Sequence, residues 1–143
     1  ILYGPSGTGK TEFCKSLFKS MNFETFLVRD MNSLRDMQID ENIALLFDDI
    51  SLANKTREEK IHIFDLENTS QVRVLYGIAI IPAGTPRAFT TNKLDRVIGS
   101  INLDEVPKEI DRRITAVNIE EPLKICLKRT VIDEIEITFP NKK

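Results

Sequence analysis

The sequence Gly-Pro-Ser-Gly-Thr-Gly-Lys-Thr at residues 4–11 has the residue types and spacing of a phosphate-binding loop. Its glycines allow the backbone to curl so that N–H groups point at an anion near the start of a helix. At this spacing, Lys10 reaches the outer phosphates of a nucleoside triphosphate and the Thr11 hydroxyl binds magnesium. The predicted nucleotide-binding residues are Gly4, Pro5, Ser6, Gly7, Thr8, Gly9, Lys10 and Thr11.

Two carboxylates, Asp48 and Asp49, follow a run of apolar residues. Residues 43–49 read Ile-Ala-Leu-Leu-Phe-Asp-Asp, which is typical of a strand buried on both faces. Adjacent acids at the end of such a strand are costly without a cation, and magnesium bound to phosphate supplies one. We predict that Asp48 binds nucleotide-associated magnesium through water and that Asp49 polarises the attacking water.

A further polar side chain, Asn92, ends a predicted strand over residues 87–92. If this strand lies beside the one that ends in the two acids, the amide points at the same phosphates. An amide can hold the attacking water or a γ-phosphate oxygen without adding charge. Asn92 could also cap a helix over residues 93–98, and the two roles are compatible.

Several other elements must position these residues. We predict a strand at residues 1–3 and a helix over residues 12–21, whose apolar stripe is Phe13, Leu17, Phe18 and Met21. Further predicted elements are strands at Glu24–Val28, 115–119 and within 122–143, weak helical character over 32–37, and helices over 56–66 and 107–114. The pattern indicates one α/β domain, with a core at residues 1–120 and a C-terminal extension at residues 121–143.

Residues 71–82 have the pattern of a β-hairpin, with Val72, Val74 and Tyr76 in alternation before Gly77. Arg73 and Tyr76 could contact nucleic acid, because an aromatic ring offers a stacking face and a cation a phosphate partner. A purely structural hairpin in which Tyr76 packs against the protein explains the same pattern equally well.

Composition restricts the possible functions. The net charge of −2 draws in no nucleic acid by itself, so any such contact must come from a local cluster of Lys or Arg. The single histidine, His62, excludes a His-rich metal nuclease site within these residues. Cys14 and Cys126 suggest neither a disulfide framework nor a metal site and favour a reducing compartment.

No apolar run approaches the length of a membrane span, which predicts a soluble, cytoplasmic domain without a membrane partner. The chain starts with Ile at its first predicted strand, so we expect it to be a piece of a longer polypeptide.

Five segments occur in one order: GPSGTGKT, LLFDDI, VLYG, IPAGTPRAFTTN and DRRI. With them the chain resembles the superfamily 3 helicase domain of replication initiator (Rep) proteins, such as those of circoviruses and related circular single-stranded DNA viruses. The similarity spans about residues 1–120. It implies a three-layer, AAA+-like P-loop fold with a central parallel sheet and an inserted β-hairpin. In that sheet the strand ending in Asn lies between the P-loop strand and the strand ending in two acids.

The resemblance also implies residue roles. Lys10 and Thr11 match the Walker A motif, Asp48 and Asp49 match Walker B, and Asn92 matches the sensor. Arg112 and Arg113 lie where the family has its arginine finger, which stabilises charge in the site of the next subunit. Without the resemblance, these two arginines would be interpreted as surface charges paired with Glu109 or Asp111.

The implied activity is ATP- and Mg²⁺-dependent movement on single-stranded DNA during rolling-circle replication. The implied assembly is a ring of identical subunits, usually six, with a nuclease domain upstream in the same polypeptide. A viral protein of this kind would act in the host nucleus. The alternatives are a P-loop ATPase that remodels or loads protein partners and a nucleotide-binding oligomerisation module.

The hairpin departs from the resemblance at one position. Circovirus and geminivirus relatives have a Lys directly before the hairpin glycine, whereas this chain has Tyr76 before Gly77. Stacking by Tyr76 or the charge of Arg73 would replace that ionic contact.

Overall fold

The computed structural model describes residues 1–35, 37–99 and 106–121. The strand predicted within residues 122–143 and the second cysteine, Cys126, lie outside this range. The elements are β1 (Leu2–Tyr3), α1 (Lys10–Ser20), β2 (Glu24–Val28), a 3₁₀ helix (Met31–Leu34), β3 (Ile43–Asp48), α2 (Arg57–Phe64), β4 (Ser70–Val74), β5 (Gly77–Ile81), β6 (Arg87–Thr91), α3 (Asp95–Ile98), α4 (Lys108–Asp111) and β7 (Val117–Asn118).

The central sheet has five strands in the order β2-β3-β6-β1-β7, and every neighbouring pair is parallel. Strand β6 therefore lies between β1 and β3, as the resemblance implies. Because the carboxyl ends of parallel strands meet at one edge, the loop after β1, the acids that end β3 and Asn92 after β6 are brought together. This confirms the predicted α/β P-loop fold.

Strand β3 is buried on both faces, as its apolar run predicts. Leu45 and Phe47 pack into a large cluster with residues of α2, the hairpin and α3. Ala44 and Leu46 pack on the other face in a cluster that includes residues of α1. Phe47 also stacks on Phe89 of β6, with ring centroids 4.5 Å apart. The sheet is thus the middle of three layers.

Helix α1 differs from its prediction in its first residue and in its buried face. It begins at Lys10, and Lys10, Cys14 and Phe18 are its buried residues. This spacing of four residues directs one face at the sheet. Phe18 of the predicted stripe is buried, whereas Met21 follows the helix as its C-cap and is exposed, so the stripe was wrong at Met21. The stripe also missed Lys10, because a charged amine does not mark a buried position in a sequence pattern.

Strands β4 and β5 form the predicted antiparallel hairpin between α2 and β6. Its inner side chains, Val72, Val74, Ala79 and Ile81, are buried. Tyr76 lies in the turn with a φ of 62° and is 88% exposed. The interpretation in which Tyr76 packs against the protein was therefore wrong.

Helix α3 begins later than predicted and does not use Asn92 as a cap. Its N-cap is Leu94, with no side-chain hydrogen bond. The Thr91 hydroxyl instead accepts a hydrogen bond from the Lys93 backbone N–H at 3.2 Å. Asn92 is thus left exposed at the end of β6. In the described part of the chain, no helix is long and apolar enough to cross a membrane.

Candidate functional site

The loop between β1 and α1 depends on glycines at defined backbone angles. Gly4, Gly7 and Gly9 have φ values of 145°, 77° and 84°, a region that other residues rarely adopt. A Cβ atom at Gly4 would lie 2.0 Å from the carbonyl oxygen of Ile119, just after β7. Gly4 is therefore required both for the turn of the loop and for its close passage beside the neighbouring chain segment.

Lys10 is buried inside this loop. Its Nζ donates hydrogen bonds to the carbonyl oxygens of Gly4 at 3.0 Å and Pro5 at 2.6 Å, and to the Thr8 hydroxyl at 3.2 Å. Burial lowers the pKa of Lys10, while the charges of Asp48 and Asp49 act in the opposite direction. Phosphate oxygens are stronger partners for an ammonium group than these neutral acceptors. The amine is therefore suited to binding a phosphate in the loop.

The Asp48 carboxylate is fixed by three neighbours. Its Oδ1 accepts hydrogen bonds from the hydroxyls of Thr11 at 2.8 Å and Thr90 at 2.7 Å, and Arg29 Nε lies 3.4 Å from Oδ2. Partial burial tends to raise the pKa of Asp48, but these hydrogen bonds outweigh it and hold the pKa below its usual value. Asp48 is thus a carboxylate at neutral pH, next to the hydroxyl predicted to bind magnesium.

Asp49 lies just beyond β3 in a left-handed backbone conformation, with a φ of 53°. Its N–H donates to the Thr90 carbonyl oxygen at 2.9 Å, which continues the ladder between β3 and β6. Its Oδ1 accepts a hydrogen bond from Arg96 Nη1 at 2.7 Å. The two adjacent carboxylates therefore have different hydrogen-bond partners.

These groups border a cleft of about 270 Å³. It is lined by Ser6, Gly7, Gly9, Lys10, Thr11, Glu12, Asp48, Asp49, Thr90, Thr91 and Asn92. The structure thus brings Asn92 and both acids to the predicted phosphate loop. An ammonium group, loop amides and carboxylates suit a triphosphate with a divalent cation better than an apolar ligand.

The oxygen donors of the cleft also fit magnesium. Within the described ranges, no group of three or more His, Cys, Asp or Glu side chains could hold a metal ion. A cation here would use Thr11 and Asp48 and take its other ligands from phosphate and water. Magnesium usually binds in this way, because it keeps several waters and uses few protein ligands.

Sequence reasoning missed three side chains that hold the acids: Arg29, Thr90 and Arg96. Thr90 could have been found, because it lies opposite Asp48 in the parallel register of β3 and β6. Arg29 and Arg96 had no such signal. Arg29 contacts Asp48, and Arg96 contacts Asp49, only in the folded chain. No local sequence pattern marks either arginine.

Arg112 and Arg113 are not brought to the cleft of their own chain. They border a second cavity of about 320 Å³, beside Asp65 and Glu67. The Arg113 guanidinium donates to the backbone carbonyl of Glu109 in α4. The Glu109 carboxylate pairs with Arg57 of α2.

The hairpin tip also lies apart from the cleft, and its backbone is tethered. The Leu75 N–H donates to Asn32 Oδ1 at 2.7 Å, and Arg35 Nη1 donates to the Leu75 carbonyl oxygen at 3.3 Å. Lys55 Nζ donates to the Arg73 carbonyl oxygen at 3.4 Å. The tethers hold the turn while the side chains of Arg73 and Tyr76 remain exposed.

Comparison with known proteins gives one family. The model of the ATPase family associated with various cellular activities (AAA) matches residues 1–73, just over half of the 143 residues. A search of curated proteins found no match. The AAA part of the resemblance is therefore confirmed, whereas the superfamily 3 and Rep assignment stays a prediction. With its phosphate loop, paired acids and sheet order, the chain belongs to the AAA ATPase family.

Proposed function

We propose that the chain is the ATP-hydrolysing motor of a Rep-type helicase that moves along single-stranded DNA. The observation that carries the proposal is the hairpin, whose aromatic tip is exposed and lies among cationic side chains. Tyr76 is 88% exposed, and Arg35 and Lys55 donate to the carbonyl oxygens of Leu75 and Arg73, which precede it in the hairpin. A stacking ring with nearby positive charge is the surface that single-stranded nucleic acid uses.

The cleft supports hydrolysis of ATP. Lys10 and the loop amides would bind the phosphates, and Thr11 and Asp48 would hold magnesium, which supplies positive charge against the phosphate oxygens. Asp49 would accept a hydrogen bond from the attacking water and orient it. Asn92 would hold the same water or a terminal phosphate oxygen from the carboxyl end of the neighbouring strand β6.

The position of Arg112 and Arg113 supports a shared site. Both lie at the second cavity, away from the cleft of their own chain. An arginine there can stabilise the transferred phosphoryl group only in a neighbouring copy. We therefore include a ring of identical subunits in the proposal. A His-rich metal nuclease acting with this motor would use histidines outside these residues, since His62 is the only histidine here.

Positive charge near the hairpin can attract DNA even though the net charge of the chain is −2. The exposed Arg73, together with Arg35 and Lys55, forms a basic cluster around the hairpin tip. Such a cluster attracts phosphates over about a Debye length, roughly 8 Å at physiological salt, whatever the total charge is.

The proposed DNA contact is tested by fluorescence anisotropy with a labelled single-stranded oligonucleotide. Tyr76→Ala is expected to weaken binding by roughly 5-fold to 100-fold, because stacking on one base is worth about 1–3 kcal/mol. Tyr76→Phe keeps the ring and should bind nearly as the wild type does. Arg73→Ala should lower the slope of affinity against salt by about one.

Met21→Ala is the matched control, because it truncates an exposed apolar side chain at the end of α1 instead of on the hairpin. Equal affinities for the wild type, Tyr76→Ala and Met21→Ala would contradict a DNA-binding hairpin.

One observation favours the second candidate, an ATPase that remodels a protein partner. Ile78 and Ile80 on the outer face of β5 are exposed, and apolar side chains of this kind often contact protein. In that case ATP hydrolysis would respond to a polypeptide and not to DNA. Single-stranded DNA would then leave the ATPase rate unchanged.

A further inference from the structure

Asp49 and Arg96 form an ion pair at the border of the cleft. Arg96 Nη1 and Asp49 Oδ1 are 2.7 Å apart, and the side chains are 38% and 60% exposed, respectively. An ion pair this exposed contributes little to folding stability, because water already solvates both charges. The pair is therefore not needed to hold the fold together.

Arg96 lies on an anchored element. It belongs to α3, whose neighbouring residues Val97 and Ile98 are buried in the core. The backbone carbonyl of Arg96 also accepts a hydrogen bond from the Leu52 N–H at 2.8 Å. The segment that follows β3 is thus attached to α3 at two points, through the side chain of Asp49 and the backbone of Leu52.

Arg96 contacts Asp49 from outside the cleft. Among the described residues, those that line the cleft include Asp49 and Asn92 but not Arg96. The guanidinium thus contacts Asp49 without lining the cleft, whereas the loop residues line it. Only three residues separate Asn92 from Arg96, so one short segment carries both the amide and the group that orients the carboxylate.

We propose that Arg96 is a positioning residue that keeps the Asp49 carboxylate directed at the attacking water. This inference rests on the proposed function of Asp49. The left-handed backbone of Asp49 leaves its side chain at an exposed turn, where a carboxylate would otherwise sample several rotamers. A displacement of about 1 Å in a catalytic group can cost 100-fold in rate, so this restraint matters for turnover.

The test compares turnover with binding in Arg96→Met and Arg96→Lys. For Arg96→Met, kcat for ATP should fall by about tenfold or more. KM, and the Kd of a non-hydrolysable ATP analogue measured by calorimetry, should stay within about twofold, because the phosphate loop is unchanged. Arg96→Lys keeps a positive charge at this position and should recover part of the loss.

Two further variants test whether the effect of Arg96→Met acts through Asp49. In an Asp49→Asn background, Arg96→Met should cause little additional loss, because the two residues act as a unit. Lys19→Met is the control, since Lys19 is an exposed cation in the last turn of α1 and does not line the cleft. Lys19→Met should keep the wild-type kcat.

Three results would overturn the proposal: an unchanged kcat in Arg96→Met, an equal loss of analogue binding, or full additivity with Asp49→Asn. Failure of the proposed function is a separate outcome. It would appear as a wild-type protein without ATP turnover or as full turnover by Lys10→Ala. If the wild type is active and Arg96→Met is equally active, only the role of Arg96 is rejected.

Discussion

At the scale of single residues, Asp48 and Asp49 show how neighbours set the chemistry of identical side chains. Asp48 accepts hydrogen bonds from two threonine hydroxyls, which hold its pKa below the usual value against the effect of burial. Asp49 is more exposed and is held by one guanidinium. The first arrangement suits a fixed anion beside a cation, and the second suits a group that must accept a hydrogen bond from water.

The prediction at the scale of single residues concerns the role of Lys10 in ATP turnover. Lys10→Ala should reduce ATP turnover by at least about 100-fold, because the charge that faces the phosphates is removed from a buried position. Circular dichroism and thermal unfolding should show a folded protein. Lys19→Ala is the matched control, since Lys19 is exposed in the last turn of the same helix and does not line the cleft. Turnover by Lys10→Ala at the wild-type rate would remove the basis for the nucleotide site.

At the scale of elements, the geometry of the phosphate loop predicts that alanine substitutions at two of its glycines lower stability by different amounts. Gly4→Ala should lower the free energy of unfolding by at least about 3 kcal/mol, because the new Cβ would collide with the Ile119 carbonyl. At Gly7 a new Cβ would have no atom within 4 Å. Gly7→Ala should therefore lower the free energy of unfolding by only about 1–2 kcal/mol, the cost of its left-handed backbone. Urea unfolding of both variants measures the difference. Equal losses would show that the close approach beside β7 is not present in solution.

Helix α1 carries a prediction about pH. Burial raises the pKa of the Cys14 thiol from 9.0 to about 11. Between these values the unfolded chain has lost the thiol proton while the folded chain keeps it, so stability falls as pH rises. Relative to Cys14→Ala, the wild type should lose about 2 kcal/mol of unfolding free energy from pH 9 to pH 11. Parallel pH curves for the two proteins would mean that Cys14 is not buried against the sheet.

Local elements were predictable where one short segment contains all the relevant chemistry. The phosphate loop and the apolar run before Asp48 specify strand, loop and helix within a few residues. The buried face of α1 was not predictable in this way, because Lys10 is buried only once the loop closes around its amine. Arg96 was beyond sequence reasoning, since it is 47 residues from Asp49 and only the packing of α3 brings them together.

At the scale of the whole molecule, Arg112 and Arg113 lie apart from the cleft of their own chain. This predicts that two kinds of inactive subunit can restore activity when they are mixed. Lys10→Ala subunits and Arg112→Ala or Arg113→Ala subunits should each have low ATPase activity. Mixtures should regain part of it, because some interfaces would combine an intact cleft with an intact arginine. No recovery at any mixing ratio, with oligomers verified by light scattering, would argue against a shared site.

A motor driven by DNA is tested most directly by the rate of magnesium-dependent ATP hydrolysis as single-stranded DNA is added. We predict that DNA raises the rate several-fold. This stimulation should fall steeply between about 50 mM and 200 mM salt, because cations compete for the phosphates. It should also be lost in Tyr76→Ala, while the rate without DNA is retained. An active ATPase whose rate is the same with and without DNA at low salt would contradict the proposed helicase function.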